Sequence, residues 1–246
     1  MKTCVISCQR NANKFTEYCI SSVAQQTHVP DSHIFIDDVS DDNTRDILSQ
    51  IKLDHLKIIL NDKRKYRLKN IYDAVNTLDD DTIVFLLDGD DWLAYTNAIE
   101  RVLKEYKQDH VEYVYTNWQY SHAPIVGISK PIPGSDWDPY SSPWITSAMG
   151  TFRARWFKQI PLPNLLDSAG EFFKMGTDQA YILPMLHMLK TRDGDYSGAR
   201  FMNEPMYVYQ FAENEMRRRI DDEGVWERET ASSSSQLIRS RGFLGE

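Results

Sequence analysis

The hydrophobic and polar positions in the first part of the chain follow two alternating patterns. Short runs of consecutive apolar residues predict buried strands, and segments with apolar residues three or four positions apart predict amphipathic helices. The predicted strands cover residues 3–8, 33–36, 56–60 and 83–87, and the helices between them cover about 14–26, 43–53 and 62–78. This alternation is typical of βαβ units, so we predict a parallel sheet with right-handed crossovers.

Polar residues directly follow three of these strands. They are the stretch 8–11, the pair Asp37 and Asp38, and the group that begins at Asp88. Ligands of parallel sheets bind beyond the C-terminal ends of the strands. We therefore expect the three stretches to converge on one rim of the sheet and to form a binding site there.

The strand at 83–87 ends in three carboxylates, Asp88, Asp90 and Asp91. Side chains alternate along an extended chain, so Asp88 and Asp90 can point the same way, and Gly89 between them permits a close approach. Carboxylates this close repel each other unless a cation lies between them, and their oxygens suit Mg²⁺ or Mn²⁺ better than zinc. A metal site is one interpretation. The alternative is that these acids only cap the next helix.

The second half of the chain has a less regular pattern. It predicts strands at 111–116, 147–152 and 206–211 and helices at 95–107, 153–159 and 178–189. Between residues 122 and 144 lies an irregular stretch that holds five of the ten prolines. An irregular run of this length within a domain is usually a functional loop or a lid.

Aromatic residues are dense in and beside this loop, namely Trp118, Tyr120, Trp137, Tyr140 and Trp144. Large rings can pin a loop to the surface, or they can form a stacking platform for a carbohydrate or a base. The sequence leaves both interpretations open.

A further acid, Asp178, opens the predicted helix at 178–189. It is placed either to cap that helix or to act in a site. Beyond it, residues 213–229 are highly charged, with a basic cluster at 217–219 beside several acids, which favours a solvated surface. The run Ser232–Ser235 predicts a linker or a frayed helix.

The overall composition excludes several protein classes. With 28 basic and 36 acidic residues the net charge is −8, which argues against nucleic acid as a partner. The three cysteines, Cys4, Cys8 and Cys19, lack a paired spacing and are expected to be buried thiols. No signal peptide or membrane span is apparent. We expect a soluble, cytoplasmic protein.

The order of the motifs is more specific than any one of them. Their positions are 7–11, 20–27, 35–40, 86–92, 149–153 and 176–178. In order and rough spacing, from residue 3 to about 185, the chain resembles family 2 glycosyltransferases. The resemblance implies an α/β GT-A fold: a Rossmann-like, mostly parallel sheet flanked by helices, with an acceptor-side C-terminal half.

The resemblance also implies roles for individual residues. Asp38 matches the acid that reads the base or ribose of the donor nucleotide. Asp88 and Asp90 match the Asp-x-Asp pair, in which the first acid meets the ribose and the metal and the second binds the metal, Mn²⁺ or Mg²⁺. Asp178 matches the general base of inverting members.

Other positions depart from the family pattern. Cys8 and Arg10 stand where the family often has proline or threonine and then tyrosine, beside the nucleotide base. Thr177 replaces a glutamate, and the strand at 207–210 lacks a histidine often found there. Lys69, or alternatively Arg67, is the candidate contact to the diphosphate.

The implied function is a metal-dependent, inverting transfer of a sugar from a nucleotide-sugar to a glycan or other hydroxyl acceptor. The expected donor is a UDP-sugar. Two alternatives stay open: a non-catalytic nucleotide-sugar-binding or scaffold domain, and a sugar-phosphate nucleotidyltransferase, whose glycine-rich loop is missing after the first strand. We expect one domain at 1–210, with a nucleotide-binding half (1–117) and an acceptor-side half (118–210), and a charged extension at 211–246. An oligomer is left open.

Overall fold

A mixed sheet of eight strands runs through the described part of the chain. The computed structural model describes residues 1–123, 125–210 and 227–245, with only the backbone for 227–231. The strands are β1 (Thr3–Gln9), β2 (Ser32–Asp37), β3 (Leu56–Leu60), β4 (Ile83–Leu86), β5 (Trp92–Leu93), β6 (Tyr113–Tyr120), β7 (Gly150–Arg153) and β8 (Ala199–Tyr209). Their order across the sheet is β3-β2-β1-β4-β7-β6-β8-β5.

Helices cover both faces of this sheet. They are α1 (Phe15–Ala24), α2 (Thr44–Gln50), α3 (Tyr66–Val75), α4 (Ala98–Glu105), α5 (Ala154–Lys158), α6 (Thr177–Asp193) and α7 (Glu227–Arg241), with a 3-10 turn at Leu162–Leu165. Two clusters of buried apolar residues form the core, one on each face of the sheet. The apolar strands β1 and β4 are therefore buried on both faces, as their sequence predicts.

The first four strands in the sheet order, β3, β2, β1 and β4, pair in parallel. This arrangement confirms the predicted βαβ units and brings the C-terminal ends of β1, β2 and β4 to one rim. β7 is antiparallel to both of its neighbours, and β6 pairs in parallel with β8. The sheet is thus parallel from β3 to β4 and mixed beyond β4. The fold is the α/β fold with a mostly parallel sheet that the sequence predicts.

Several strand boundaries differ from the sequence prediction. The strand expected at 111–116 is β6, which begins at Tyr113 and extends to Tyr120. The strand expected at 147–152 begins only at Gly150 and ends at Arg153, and Ser147 and Ala148 before it line a cavity. The strand expected at 206–211 is the end of the longer β8, which begins at Ala199. Its first half includes Arg200, Glu204 and other half-exposed or exposed residues, so it has no apolar run by which to recognise it.

The C-terminal helix α7 contacts α6. Ile238 is buried in the core cluster on that face, and Leu237 packs against it. The serines 232–235, predicted as a linker or frayed helix, lie inside α7. The preceding charged residues 213–226, including the basic cluster at 217–219, lie outside the described residues.

Two further expectations concern buried thiols and membrane segments. Cys4, Cys8 and Cys19 are free and buried, as predicted. Across the described ranges, every helix is too short or too polar to span a bilayer.

Candidate active site

The C-terminal ends of β1, β2 and β4 meet through backbone hydrogen bonds. Gly89 N–H donates to the Cys8 carbonyl at 3.1 Å, and Asp38 N–H donates to the Gln9 carbonyl at 2.8 Å. A Cβ at position 89 would lie 2.7 Å from Cβ of Gln9, closer than side chains tolerate. Glycine is therefore required between the two acids of the Asp-x-Asp motif, as the sequence predicts.

Arg67, at the start of α3, joins two of the predicted site acids. Its Nε donates to Asp88 at 2.6 Å and its Nη1 donates to Asp178 at 2.8 Å. The same Nη1 lies 3.0 Å from the Thr177 hydroxyl. One guanidinium thus links the end of β4 to the start of α6. The fixed planar fork of arginine suits such a bridge, which the single ammonium of lysine cannot reproduce.

The charge balance around Arg67 depends on this bridge. Burial alone would lower the pKa of Arg67, but the charges of Asp88 and Asp178 outweigh burial and raise its pKa well above the usual range. The arginine is therefore a permanent cation, and it offsets the repulsion between carboxylates that burial would otherwise make costly.

Asp178 lies in the first turn of α6, where the helix dipole favours a negative charge. Its carboxylate accepts a hydrogen bond from the Tyr181 hydroxyl at 2.8 Å in addition to the one from Arg67. The residue before the helix, Gly176, has φ of 65°, a left-handed conformation that glycine adopts without strain. Two donors therefore fix the orientation of the Asp178 carboxylate at the rim.

Asp91 has a different environment from Asp88 and Asp90. Only 1% of it is exposed, and it accepts hydrogen bonds from the Tyr207 hydroxyl and from Gln210 N–H, the latter at 2.6 Å. Burial, and then the charges of Asp90 and Asp88, raise the pKa of Asp91 well above its ordinary value. Asp91 therefore ties the end of β8 to the Asp-x-Asp turn.

Asp38 acts as an anchor for the connection between β3 and α3. One carboxylate oxygen accepts from Asn61 Nδ2 at 2.8 Å and from Lys65 N–H at 2.9 Å, and the other accepts from Tyr66 N–H at 2.8 Å. The side chain is buried. This connection leads directly into the first turn of α3, which contains Arg67, so Asp38 helps to place the guanidinium that bridges Asp88 and Asp178.

Cys8, Arg10 and Lys69 are the remaining predicted site residues. Cys8 is buried at the rim, and burial raises the pKa of its thiol. Arg10 donates to the Val39 carbonyl at 3.0 Å and to Asp41 at 3.1 Å, beside the end of β2. Lys69 instead pairs with Asp73 along α3. The structure brings Arg67, and not Lys69, to Asp88.

A cavity of about 330 Å³ lies beside the Arg67 bridge. Asp88, Arg67 and Asp178 line its charged side. The other side is formed by Trp118, Tyr120, Tyr207 and Tyr209 together with smaller apolar residues. Its volume is at the lower end of the range for small-molecule sites.

The carboxylates at the end of β4 fit a hard divalent cation that is shared with a phosphate ligand. Asp88 and Asp90 are half-buried acids separated by one glycine. Within the described ranges, His, Cys, Asp and Glu form no group of three that could hold a metal by themselves. Mg²⁺ and similar ions are often held by only one or two carboxylates, with substrate phosphates and waters completing the shell.

Sequence reasoning missed two features of the site. It considered Arg67 only as a contact to the diphosphate. The hydrogen bond between Arg67 and Asp178 was missed, because the two residues are 111 positions apart and meet only in the fold. It did not single out the Tyr207 hydroxyl, which bonds both Asp91 and, at 3.3 Å, the Asp88 N–H. The absence of the family histidine from this strand was the one available signal.

Known structures share this architecture. The structure of S. aureus TarS 1–349 in complex with UDP-GlcNAc has a TM-score of 0.61 at 15% identity, covering 87% of this chain and 59% of that one. Glucosyl-3-phosphoglycerate synthase from Mycobacterium tuberculosis, with Mn²⁺, UDP and phosphoglyceric acid, has a TM-score of 0.57 at 13% identity, covering 96% and 79%. A mannosyltransferase from Pyrobaculum calidifontis, with GDP-Man and Mn²⁺, has a TM-score of 0.56 at 14% identity, covering 86% and 56%.

At these identities the structural likeness establishes the fold. The chain spans 37% of the TarS structure and 62% of TarS 1–349 with UDP. No curated protein sequence matches it. The sequence model of the family described as Glycosyl transferase family 2 matches residues 4–160, which include the ends of β1, β2 and β4. The chain therefore belongs to glycosyl transferase family 2.

Proposed function

We propose that this protein is a metal-dependent, inverting glycosyltransferase that moves a sugar from a nucleotide-sugar, a UDP-sugar, to a hydroxyl of a glycan or another acceptor. The observation that carries the proposal is that Asp88 and Asp178 line one cavity and are held there by the same guanidinium, Arg67. An acid suited to a metal and an acid suited to proton transfer thus face the same space.

The donor end of the site is assigned to the rim formed by β1, β2 and β4. Asp88 and Asp90 would hold Mn²⁺ or Mg²⁺, which when bound neutralises charge on the diphosphate leaving group. Cys8, Arg10 and Asp38 lie at the ends of β1 and β2, on the side assigned to the nucleoside. Two of the structurally similar proteins are complexes that contain Mn²⁺ together with UDP or GDP-Man, which supports this assignment.

The acceptor end is assigned to Asp178. Its carboxylate accepts the proton of the acceptor hydroxyl while the oxygen attacks the anomeric carbon from the face opposite the diphosphate. The bond between the anomeric carbon and the diphosphate oxygen breaks, its electron pair leaves with the diphosphate, and the anomeric configuration inverts. Tyr181 and Arg67 fix the direction in which the carboxylate points.

Calorimetry with Mn²⁺ and UDP, GDP or dTDP tests the donor assignment, and donor hydrolysis or transfer tests the chemistry. Asp178→Asn should keep Mn²⁺-UDP binding and lower turnover by about 10² to 10⁴-fold, the usual contribution of a general base. Asp195→Asn, an exposed acid after α6, is the matched control. Wild-type turnover in Asp178→Asn would refute the base assignment. Nucleotide binding without any hydrolysis or transfer by the wild-type protein would favour the non-catalytic alternative.

A further inference from the structure

Four aromatic side chains share one face of the sheet at the ends of β6 and β8. The strands run parallel, with Trp118 opposite Tyr207 and Tyr120 opposite Tyr209. Side chains alternate along each strand, so these four rings point to the same side, and all four line the cavity that also contains Asp178. The sequence singled out Trp118 and Tyr120 but had no means to place β8 beside them.

Trp118, Tyr120 and Tyr209 form a continuous wall, which we call the aromatic wall. Ring centroids are 4.8 Å apart for Trp118 and Tyr120, 5.8 Å for Trp118 and Tyr209, and 5.9 Å for Tyr120 and Tyr209. These separations lie within the range in which aromatic rings attract each other. The wall is therefore a packed unit.

A short backbone segment fixes the wall from behind. Gly127 N–H donates to the Trp118 carbonyl at 2.7 Å, and Tyr120 N–H donates to the Ile125 carbonyl at 3.2 Å. A Cβ on Gly127 would lie 2.6 Å from Cδ1 of Trp118 and closer still to two other atoms of its ring. The segment thus closes tightly over the indole. The wall nevertheless stays accessible, since Tyr209 is 40% exposed and the other two rings are half-buried.

The charges in the cavity restrict what the aromatic wall can bind. Among its described lining residues the cation is Arg67, which is engaged by Asp88 and Asp178. Asp178 presents a carboxylate, which accepts hydroxyl protons and repels anions. A neutral ligand with an apolar face and hydroxyl groups at its edge fits this combination, because C–H groups can lie against the rings while a hydroxyl reaches Asp178. A sugar ring has this chemistry.

We propose that the aromatic wall is an acceptor subsite that binds an uncharged pyranose ring and presents one of its hydroxyls to Asp178. This inference rests on the proposed function and adds the class of acceptor, a neutral cyclic sugar rather than an acyclic polyol or a phosphorylated acid. An acyclic chain has no flat face to lie on the rings, and a phosphorylated acid meets the carboxylate of Asp178 without a free cation among the described lining residues.

Saturation-transfer difference NMR tests the subsite directly, with UDP and the diamagnetic ion Mg²⁺ present to fill the donor side. The probes are methyl glucopyranosides and methyl N-acetylglucosaminides, and the comparison ligands are ribitol and glycerol 3-phosphate. The wild-type protein should transfer saturation to the ring protons of the pyranosides and not to the comparison ligands. Equal signals from ribitol, or no signal from any pyranoside at millimolar concentration, would overturn the proposal.

Variants of the wall identify the surface that binds. Trp118→Ala and Tyr209→Ala should each weaken pyranoside binding about two- to tenfold, whereas Tyr209→Phe should bind as the wild type does. Tyr95→Ala, which removes a ring that is 41% exposed outside the cavity, is the matched control. Tyr209→Ala keeps the test valid if Trp118→Ala fails to fold, because Tyr209 is at the surface. Unchanged binding in Tyr209→Ala would refute the wall as the subsite.

The donor assays separate this proposal from the proposed function. If Mn²⁺-UDP fails to bind the wild-type protein while the wall variants still lose pyranoside binding, the proposed function is wrong and the sugar subsite stands. If donor hydrolysis is normal and pyranosides bind equally to all variants, the subsite is wrong and the proposed function stands. A parallel loss of Mn²⁺-UDP affinity in Tyr209→Ala would place the wall on the donor side and overturn the acceptor assignment.

Discussion

The guanidinium of Arg67 donates to the carboxylate of Asp178 at 2.8 Å, and Arg67 also lies 2.6 Å from Asp88. The cation thus lies between the acid proposed to share a metal and the acid proposed to take the acceptor proton. A divalent ion at Asp88 must share that carboxylate with Arg67 or displace it. In the proposed mechanism, metal binding at Asp88 and the orientation of Asp178 would therefore be coupled through the Arg67 side chain.

Replacing Arg67 should separate these two effects. Arg67→Met should bind Mn²⁺ more tightly than the wild type in the absence of nucleotide, because Asp88 loses a competing cation. Transfer should nevertheless be slower, by roughly 10²-fold, because Asp178 loses a donor that orients it. Calorimetry measures the first effect and initial rates at saturating donor measure the second.

A remote arginine provides the control for this prediction. Arg101→Met removes a side chain of similar exposure, 29% against 24%, that pairs with Glu204 on the far edge of the sheet. It should change neither quantity. Weaker Mn²⁺ binding in Arg67→Met than in the wild type would show that the arginine supports the metal carboxylate and does not compete for it.

The sequence was sufficient to predict the half of the fold built from local patterns. Apolar runs followed by polar turns located β1, β2, β3 and β4, and parallel pairing then required their polar ends to share a rim. The Arg67–Asp178 pair could not be predicted this way, because the position of α6 over the rim depends on how β6, β7 and β8 pair. The first six residues of β8 are half-exposed or exposed, so no hydrophobic periodicity marked this strand.

Asp91 shows a second limit of sequence reasoning. From the sequence, the acids at 88–91 could form a metal site or cap the next helix, and no partner for Asp91 was indicated. In the structure Asp91 is buried and accepts hydrogen bonds from the Tyr207 hydroxyl and Gln210 N–H, which lie 116 and 119 positions away in the sequence. A contact of this range leaves no local signal.

This burial predicts different consequences for two adjacent acids. Asp91→Asn should lower the free energy of unfolding by about 1–3 kcal/mol. The carboxylate accepts hydrogen bonds from two donors, whereas the amide N–H of asparagine would face one of them. Asp90→Asn should leave stability within about 0.5 kcal/mol of the wild type and abolish Mn²⁺-dependent UDP binding. Urea denaturation and calorimetry on both variants measure the two properties. Equal loss of UDP binding with no loss of stability in Asp91→Asn would mean that Asp91 is a metal ligand.

The aromatic wall should be sensitive to a substitution at Gly127, which packs against the ring of Trp118. Gly127→Ala places a methyl group against the ring of Trp118, so the indole or the segment must move, at a cost of about 1–3 kcal/mol in stability. The indole N–H resonance of Trp118 should shift, and pyranoside binding should weaken. Gly134→Ala, where a Cβ meets no atom within 4 Å, is the matched control and should change neither. An unshifted Trp118 resonance in Gly127→Ala would contradict the close packing.

The stability of the protein should depend on pH through the buried side chain of His33. The side chain is fully buried, with Nε2 2.9 Å from the Ser7 hydroxyl, and burial, followed by the charge of His55, lowers the pKa of His33 from 6.5 to about 3. The unfolded chain therefore binds a proton between these pH values that the folded protein does not. Stability from this group is complete above pH 6.5 and falls as the pH drops, by about 1–2 kcal/mol on reaching about pH 5.

Urea denaturation at several pH values checks this dependence. His33→Gln, which keeps a polar group beside Ser7, should show a flatter change in unfolding free energy between about pH 6.5 and 5. His122→Gln, with an exposed side chain, should keep the wild-type slope. Identical slopes in the wild type and His33→Gln would show that His33 does not carry the dependence.

Arg239 of α7 connects the C-terminal helix to the segment that contains the proposed base, Asp178. Its Nε donates to Gln179 at 2.8 Å, next to Asp178, and its Nη1 donates to the carbonyls of Tyr140 at 3.0 Å and Ser142 at 2.7 Å. Burial lowers the pKa of Arg239. A cation partly removed from water and held mainly by carbonyl groups stabilises the geometry of those groups, here the proline-rich loop and the first turn of α6.

Arg239→Met should therefore loosen both segments while leaving the donor rim intact. Hydrogen exchange should accelerate at residues 139–142 and 178–180, and kcat for transfer should fall roughly tenfold with an unchanged KM for the donor. Arg241→Met, which removes a hydrogen bond to the Leu166 carbonyl at the end of the same helix, controls for a general loss of α7 packing. The same fall in kcat in both variants would assign the effect to α7 as a whole. A fall confined to Arg239→Met, with partial recovery in Arg239→Lys, would identify this side chain as the group that positions Asp178.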